Sequence, residues 1–446
     1  MHIKNKEKLK DVFIAFVIVF IGIIFLSFFK IKHSMTFINL DELLWMFRSR
    51  FFMDGILSLD FSKLIQSSHP GVMVMWAVGP FMEILNYDFN SIVNFIKNLK
   101  ESGVGYNVIN ARNQELFDNY KEISFLFNIP ILTTIFFFIF SLYYLLRKLA
   151  FNKWAVIFSV LLVVTTPYYI YFTTPTDKFV GIFSILSLLS LLVYSSGKGG
   201  KNFLVFSAVL GSWAALTKMS ALFLIPFSLF VLVFYKLNSV SYFCRDEALL
   251  RLYGGIKNII KDYTAWIIVF FSTSVIFLPT IISNPQSVLN LITKESSQRI
   301  ITENHSALFS SNVALAYLSD SFVLSFNLFL IIIFVGFLLL IIKRISNRIN
   351  ISKEVLVLII YLFSFFTFVV LFSKTYSFRY LVPLLIVFQI ISGVGIYEFA
   401  NLFIKKNNIT DKKLIYFWAV VFILISQGLL IYYSEIEKIK SLPYFG

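Results

Sequence analysis

Long apolar stretches recur along the whole chain, and they limit what it can fold into more than any other feature. A helix needs about twenty apolar residues to cross a bilayer, or fewer where the bilayer is thin. The sequence therefore predicts an all-α bundle of membrane-spanning helices. The eleven candidate spans fall near residues 12–30, 124–146, 154–172, 178–195, 203–217, 219–235, 264–283, 320–342, 354–373, 378–400 and 414–433.

The composition agrees with a polytopic integral membrane protein. The 446 residues are 58% hydrophobic and only 14% charged, whereas soluble domains are about 45–50% apolar and about 25% charged. The run from Val12 to Phe29 is too long for the apolar core of a signal peptide, so we interpret it as an uncleaved first span. We predict one integral membrane domain over residues 1–446. Only Lys218 separates the fifth and sixth spans, which form either a tight outward hairpin or one broken helix.

The charge pattern predicts the orientation. The net charge is +15, and no long soluble basic domain exists to carry it, which argues against nucleic acid as a partner. Basic residues cluster instead in every second connection, as cytoplasmic loops do. We therefore predict a plasma (inner) membrane protein with a cytoplasmic N-terminus. The basic residues assigned to the cytoplasm are Lys4, Lys6, Lys8, Lys10, Arg147, Lys148, Lys153, Lys198, Lys201, those from Lys236 to Lys261, Lys343, Arg344, Arg348, Lys353, Lys405, Lys406, Lys412 and Lys413.

Two extracytoplasmic loops are long in this topology, at residues 30–122 and 283–319. Within the first, the stretches 43–47 and 72–85 are apolar but too short or too mixed to span a membrane. We predict that they are amphipathic helices on the membrane surface. The single cysteine, Cys244, excludes an intrachain disulfide and a cysteine-based metal site.

The unusual polar residues all fall on the extracytoplasmic side of this topology. Carboxylates are costly to desolvate at a membrane boundary, so they are seldom without a role there. Polar groups from distant parts of the chain that converge at one membrane face predict an active site. The residues are Asp41, Glu42, His69, Asp177, Lys178, Lys218, His305, Lys374 and Arg379.

The order of these motifs resembles a known family. An acidic pair follows the first span, and His69-Pro70-Gly71 opens an apolar stretch. Thr174-Pro175-Thr176-Asp177, then the run 217–222 (TKMSAL), and late in the chain 379–383 (RYLVP) complete the series. The series is similar to the membrane-embedded C-class (GT-C) glycosyltransferases, in particular the protein O-mannosyltransferase and lipid A aminoarabinose transferase branch.

The resemblance implies an inverting transfer of a sugar from a polyprenyl-phosphate donor. The acceptor would be a hydroxyl group of a glycan, a glycolipid or a protein. Asp41 would be the general base, because a hydroxyl is a poor nucleophile until a carboxylate accepts its proton. Fixed cations would bind the leaving lipid phosphate. These are Arg379, with Lys218 and Lys178, while the substrate pocket would hold Glu42, His69, Asp177 and Tyr380.

Four of these residues also have a structural interpretation. Asp41 and Glu42 suit the start of an amphipathic helix, because acidic side chains stabilise a helix N-terminus. Arg379 suits a snorkelling anchor at the interface. Asp177 suits an ion pair with Lys178 or a helix cap.

No cofactor is predicted, and a divalent metal remains an open alternative. Asp41, His69 and Asp177 offer suitable ligand atoms, but no spacing among them specifies a metal site. The competing functions are a transporter or flippase for polyprenyl-linked glycans and a glycan polymerase. A transporter places ionisable residues near mid-membrane, whereas here they lie at one face, which favours the enzyme.

Overall fold

The computed structural model describes residues 40–64, 71–85, 114–165, 175–237, 245–288, 352–372, 381–407 and 412–440. It also describes residues 13, 16, 17, 20, 94, 334–338, 340–342 and 409. At 40–43, 114–124, 245–252, 370–372 and 428–440 the backbone alone is described.

The regular elements of the described residues are helices, which confirms the predicted all-α class. Two 3₁₀ helices, Phe61–Leu64 and Met219–Phe223, accompany the α-helices. The α-helices are α1 Leu40–Leu57, α2 Val72–Ile84, α3 Gln114–Lys148, α4 Lys153–Thr165, α5 Pro175–Ser195, α6 Lys201–Thr217, α7 Leu224–Leu237, α8 Arg245–Phe277, α9 Thr280–Ser283, α10 Lys353–Phe372, α11 Val382–Lys406 and α12 Lys412–Lys440.

Within the described residues, five helical segments are long and apolar enough to cross a membrane. The shorter helices α2 and α4 are also apolar. The protein is therefore a helical membrane protein, as its composition predicts. The five segments are Phe125–Lys148, Pro175–Ser195, Met219–Leu237, Tyr253–Phe277 and Val382–Lys406.

Several helices extend beyond the predicted spans. Helix α3 begins at Gln114 rather than near 124, and α8 begins at Arg245 rather than near 264. Their added turns are rich in polar residues, which hydropathy does not detect but which a helix tolerates outside the hydrocarbon layer. The predicted spans 12–30 and 320–342 lie largely outside the described residues.

Lys218 interrupts the helical structure between the fifth and sixth predicted spans. Helix α6 ends at Thr217, and Lys218 adopts an extended conformation with φ −156° and ψ 133°. The 3₁₀ helix Met219–Phe223 follows and leads into α7. The lysine is thus held at a helix break and not within either helix.

The chain divides into two compact units. The first contains residues 1–26, 139–172 and 307–446, and the second contains residues 27–138 and 173–306. The first unit is built around α11, which is buried along most of its length and packs against α4. Small residues permit this contact. A Cβ on Gly393 would overlap the backbone of Ser159, whose hydroxyl donates to the carbonyl oxygen of Ile390 at 2.9 Å.

The second unit is built around α5, whose residues are buried from Pro175 to Val193. Helix α6 packs along α5, and α8 packs on α6. Hydroxyl groups join these helices. Ser187 donates to the carbonyl oxygen of Ser207 at 2.8 Å, and the Trp266 indole donates to the Ser207 hydroxyl at 3.1 Å. Such hydrogen bonds satisfy polar groups that no water reaches inside a membrane protein.

Candidate functional site

The acidic pair lies at the start of α1. Asp41 and Glu42 occupy the first turn of this 18-residue helix, while their side chains are outside the described part of the structure. The helix that the sequence predicts around residues 43–47 is confirmed, and it extends from Leu40 to Leu57. Carboxylates at this position face the positive end of the helix dipole, so the position itself explains part of the pair's presence.

Helix α1 buries one face, and that face carries a helical repeat. Trp45, Met46, Ser49, Phe52 and Met53 are buried, at spacings of one, three and four residues that fall on one side of a helix. Charged residues flank this face: Arg50 forms an ion pair with Glu83 of α2, and Arg48 lies over the Trp45 ring. The buried face packs against α2, the second helix predicted in the first loop.

Gly71 lies in close contact with α1 at the start of α2. Its φ of +53° lies in the left-handed region, and a Cβ there would overlap the indole ring of Trp45. The Gly71 amide donates to the carbonyl oxygen of Thr217 at 3.2 Å. The motif His69-Pro70-Gly71 therefore ends in a glycine that contacts both α1 and the last residue of α6. His69 itself lies outside the described residues.

We expect Gly71→Ala to lower the free energy of unfolding by about 2–5 kcal/mol. The left-handed conformation costs an L-residue about 1–2 kcal/mol, and an overpacked contact costs about 1–3 kcal/mol more. Thermal unfolding of the purified protein in detergent measures the change.

Gly197→Ala is the matched control for this substitution. Gly197 also has a positive φ, at +71°, but its added Cβ would meet no atom within 4 Å. The control should therefore lose only the conformational part, about 1–2 kcal/mol. Equal losses in the two variants would show that the Trp45 contact contributes nothing.

Helix α2 is anchored further along by Trp76. The Trp76 indole nitrogen donates to the carbonyl oxygen of Phe277 at 3.0 Å. Its ring meets Phe52 edge-on at 5.5 Å and Phe277 at 5.6 Å between centroids. The first-loop helices are thus fixed to the end of α8, and the Thr280 hydroxyl adds a 2.8 Å bond to the carbonyl oxygen of Phe61.

Asp177 and Lys218 form a buried ion pair beside this contact region. The Lys218 Nζ atom donates to Oδ1 of Asp177 at 2.6 Å, and their side chains are 13% and 1% exposed. Asp177 lies in the first turn of α5, next to Lys178, which is also buried. The ion pair with Lys218 is a partner that neither sequence interpretation of Asp177 named. A buried carboxylate is tolerated when it is paired in this way.

The structure thus brings together part of the predicted site. Asp41 lies four residues before Trp45 in α1, which is about 6 Å along the axis. Trp45 contacts Gly71, Gly71 is bonded to Thr217, and Thr217 precedes Lys218, the partner of Asp177. We call these five positions, Trp45, Gly71, Asp177, Thr217 and Lys218, the outer cluster.

The other predicted residues lie outside the described part of the chain. Arg379 and Tyr380 precede the described residue Leu381, from which α11 continues. His305 and Lys374 are likewise not described. Their assigned roles remain predictions.

A second polar cluster lies at the opposite end of α5. The Tyr194 hydroxyl donates to Oδ2 of Asp262 at 2.7 Å, and Lys236 forms an ion pair with the same carboxylate. Asp262 is buried. We call Tyr194, Lys236 and Asp262 the inner cluster. Sequence analysis missed it, although an aspartate at the start of an apolar span was a visible signal.

The two clusters of the second unit lie at opposite ends of α5. The outer cluster joins helix ends and a loop that the charge pattern assigns to one face. The inner cluster joins the other ends of α5 and α7 with α8 near Asp262, all assigned to the opposite face. The two clusters are separated by 17 residues of α5, from Asp177 to Tyr194, or about 25 Å of helix.

No group of three or more metal-ligating side chains occurs among the residues that the structure describes. Asp177 has Lys218 as a partner, and the side chains of Asp41 and His69 are not among those described. A divalent metal bound by Asp41, His69 and Asp177 therefore stays an alternative that the described residues do not test.

Comparison with known proteins yields two solved structures. No family model and no curated protein matches the chain. The apo crystal structure of the oligosaccharyltransferase of Archaeoglobus fulgidus shares 11% identity at a TM-score of 0.49, covering 97% of this chain and 58% of that chain. The oligosaccharyltransferase AglB of the same organism, in complex with an inhibitory peptide and a dolichol-phosphate, shares 12% identity at 0.47, covering 95% and 56%.

This chain therefore spans less than two thirds of the length of either structure. At these scores neither likeness carries a conclusion about the chemistry. The class that the fold defines is an all-α integral membrane protein with an ion pair near each end of α5.

Proposed function

We propose that this protein is a membrane glycosyltransferase that uses a polyprenyl-phosphate-linked sugar. The acceptor is a hydroxyl group of a glycan, glycolipid or protein at the extracytoplasmic face. One observation supports the proposal most: continuous contacts run from α1, whose first turn contains Asp41 and Glu42, to the pair of Asp177 and Lys218. These contacts support the proposal because α1, Gly71 and the Asp177–Lys218 pair are remote in the sequence.

In the proposed reaction Asp41 is the general base. The acceptor oxygen attacks the anomeric carbon while Asp41 takes the hydroxyl proton. The bond between that carbon and the phosphate oxygen breaks, and its electron pair leaves with the polyprenyl phosphate. A base in the first turn of a helix fits this step, because the backbone holds its position and the helix end stabilises the carboxylate.

The leaving phosphate requires positive charge that is already in place. Two lysines lie close to this position: Lys218, which is paired with Asp177, and Lys178, the next residue of α5 after Asp177. The first turn of α5 adds backbone amides at the positive end of a helix, which favour a phosphate group. Arg379 is the third proposed cation, and bidentate contacts to phosphate oxygens suit its guanidinium group.

Asp177 then has a positioning role. Lys218 follows a helix break and has a long flexible side chain, and its 2.6 Å bond to Asp177 fixes the ammonium group. Glu42, His69 and Tyr380 complete the proposed sugar pocket. The contact of Gly71 with Trp45 fixes the backbone that follows His69 and Pro70.

Deletion of the gene in its natural host tests the proposal. We expect one polyprenyl-phosphate sugar to accumulate and one surface glycan, glycolipid or glycoprotein to lose that sugar, both measured by mass spectrometry. The wild-type gene should reverse both changes. Accumulation of a complete lipid-linked glycan without loss of a single sugar would contradict the proposal and favour a flippase or a polymerase.

A further inference from the structure

The first unit has an apolar groove between α11 and α12. Its volume is about 900 Å³, within the range of about 300–1,000 Å³ that is typical of ligand pockets. We call it the α11–α12 groove. Its main lining side chains are Ile396, Phe399, Phe403, Trp418, Phe422 and Ile425.

The two helices that form the groove are joined near one end. The Tyr416 hydroxyl donates to Oδ1 of Asn401 at 2.6 Å, and the rings of Tyr397 and Tyr416 stack at 6.0 Å. The Ile409 amide donates to the carbonyl oxygen of Ile404 at 3.1 Å. The groove therefore lies on an antiparallel pair of helices that is closed at this end.

The closed end carries a cluster of exposed lysines. Lys405 and Lys406 end α11, and Lys412 and Lys413 begin α12. We call these four residues the lysine rim. All four are exposed. The apolar groove thus lies beside four exposed lysines, which outnumber the one acidic residue of the connection, Asp411, and the charge pattern of the chain assigns that edge to the cytoplasmic face.

The dimensions of the groove match one leaflet of a bilayer. Its lining on α12 runs from Ile415 to Ile425, about 15 Å along the helix. One leaflet contributes half of a hydrocarbon layer of about 30 Å. The lining starts within one turn of Lys412 and Lys413, so the positive edge lies where the phosphate of a lipid would be when its acyl chain fills the groove.

We propose that the α11–α12 groove binds one anionic phospholipid of the cytoplasmic leaflet, with an acyl chain in the groove and the phosphate on the lysine rim. Basic residues at the cytoplasmic end of membrane helices attract anionic headgroups. The exposed aromatic side chains Phe403, Trp418 and Phe422 supply the surface for the chain. This site goes beyond the proposed glycosyl transfer and does not depend on it.

Fluorescence of Trp418 in lipid vesicles tests the proposal. The full-length protein is reconstituted into phosphatidylcholine vesicles that contain a small fraction of a lipid with brominated acyl chains. In one set of vesicles the brominated lipid is phosphatidylglycerol, and in the other it is phosphatidylcholine. Trp418 is exposed at 59% and is one of six tryptophans, so its signal is the difference between wild type and Trp418→Phe. We expect brominated phosphatidylglycerol to quench this signal at a concentration at least about fivefold lower, the factor that one lysine near an anionic surface provides.

Two variants separate the lysine rim from general surface charge. K405Q/K406Q/K412Q/K413Q should lose the preference while brominated phosphatidylcholine still quenches Trp418, which also shows that the groove remains folded. K198Q/K201Q removes two exposed lysines that precede or begin α6, and it should keep the preference. Inorganic phosphate should not compete, because the acyl chain supplies the binding surface.

Three results would overturn the proposal. Equal quenching by the two lipids would show that the site has no preference for anions. A loss of preference in K198Q/K201Q as large as in the rim variant would assign it to diffuse charge. Absence of Trp418 quenching by either lipid would mean that protein covers the groove, and a doubled mass in light scattering would identify a second copy.

Discussion

Asp41→Asn should lower the rate of sugar transfer by about 10²–10⁴, the usual contribution of a general base. The amide has the size of the carboxylate but does not accept the acceptor's proton. Asn is also well tolerated at the start of a helix, so expression, membrane insertion and thermal unfolding should stay close to wild type. The measurement is single-turnover transfer by purified protein, with the polyprenyl-phosphate sugar that accumulates in the deletion strain as donor.

Glu42→Gln is the matched control, because the two acids are neighbours in the first turn of α1. It removes the same charge from the same helix end and should retain more activity than Asp41→Asn. If the pair only stabilised the helix N-terminus, the two variants would show equal small losses of stability and unchanged transfer. A larger loss of transfer in Glu42→Gln would assign the base to Glu42.

Variants that break the ion pair between Asp177 and Lys218 should lower both the stability of the protein and its affinity for the donor. The two losses are measured separately. Asp177→Asn removes the carboxylate that pairs with the Lys218 ammonium group, whose side chain is 13% exposed, and Lys218→Gln leaves a carboxylate that is 1% exposed. Loss of one partner of a buried pair costs about 3–5 kcal/mol, and the partial exposure of Lys218 places the expected value at the lower end. The double variant should recover part of that stability, because no unpaired charge remains, which unfolding in detergent measures.

Activity should not recover in the same double variant. If Lys218 binds the donor phosphate, its loss raises KM for the donor by about tenfold or more, since hydrogen bonds to charged groups contribute about 1.5–3 kcal/mol. Restored stability with restored activity would show that the pair is only structural.

A double variant in the inner cluster is the control for the variants of Asp177 and Lys218. Asp262→Asn with Lys236→Gln removes a second ion pair of the same unit, where the side chains are 12% and 25% exposed. This double variant should keep the wild-type KM for the donor, because the pair lies at the other end of α5. A rise in KM as large as that of the outer pair would indicate a general disturbance of the unit.

The class of fold was predictable because it depends on one strong property. Long apolar stretches form helices in a membrane, and those that the structure describes are helical. The helix ends were less predictable, since the turns of α3 after Gln114 and of α8 after Arg245 carry polar residues. Helix α1 was underestimated because Arg48, Arg50 and Asp54 break its hydropathy, although its buried face repeats with helical spacing.

The candidate site was predictable by residue type and less so by pairing. Asp177 and Lys218 were both singled out as polar residues at one membrane face, but they are 41 positions apart. Local reasoning therefore offered only the adjacent Lys178 or a helix cap as the structural role of Asp177. The role of Gly71 depends on Trp45 and on the carbonyl group of Thr217, contacts that only the assembled fold reveals.

The attachment of the first loop also determines when it can form during synthesis. Trp76 bonds to Phe277, 201 positions later, and Phe61 to Thr280, 219 positions later. Chains leave the ribosome at about 5–20 residues per second, so α1 and α2 wait roughly ten seconds or more before their partners on α8 and α9 exist. A nascent chain arrested before α8 would hold these two helices only by the contacts of α2 with α5 and α6, and protease sensitivity of residues 40–85 would report the chain length at which the bonds to α8 and α9 form.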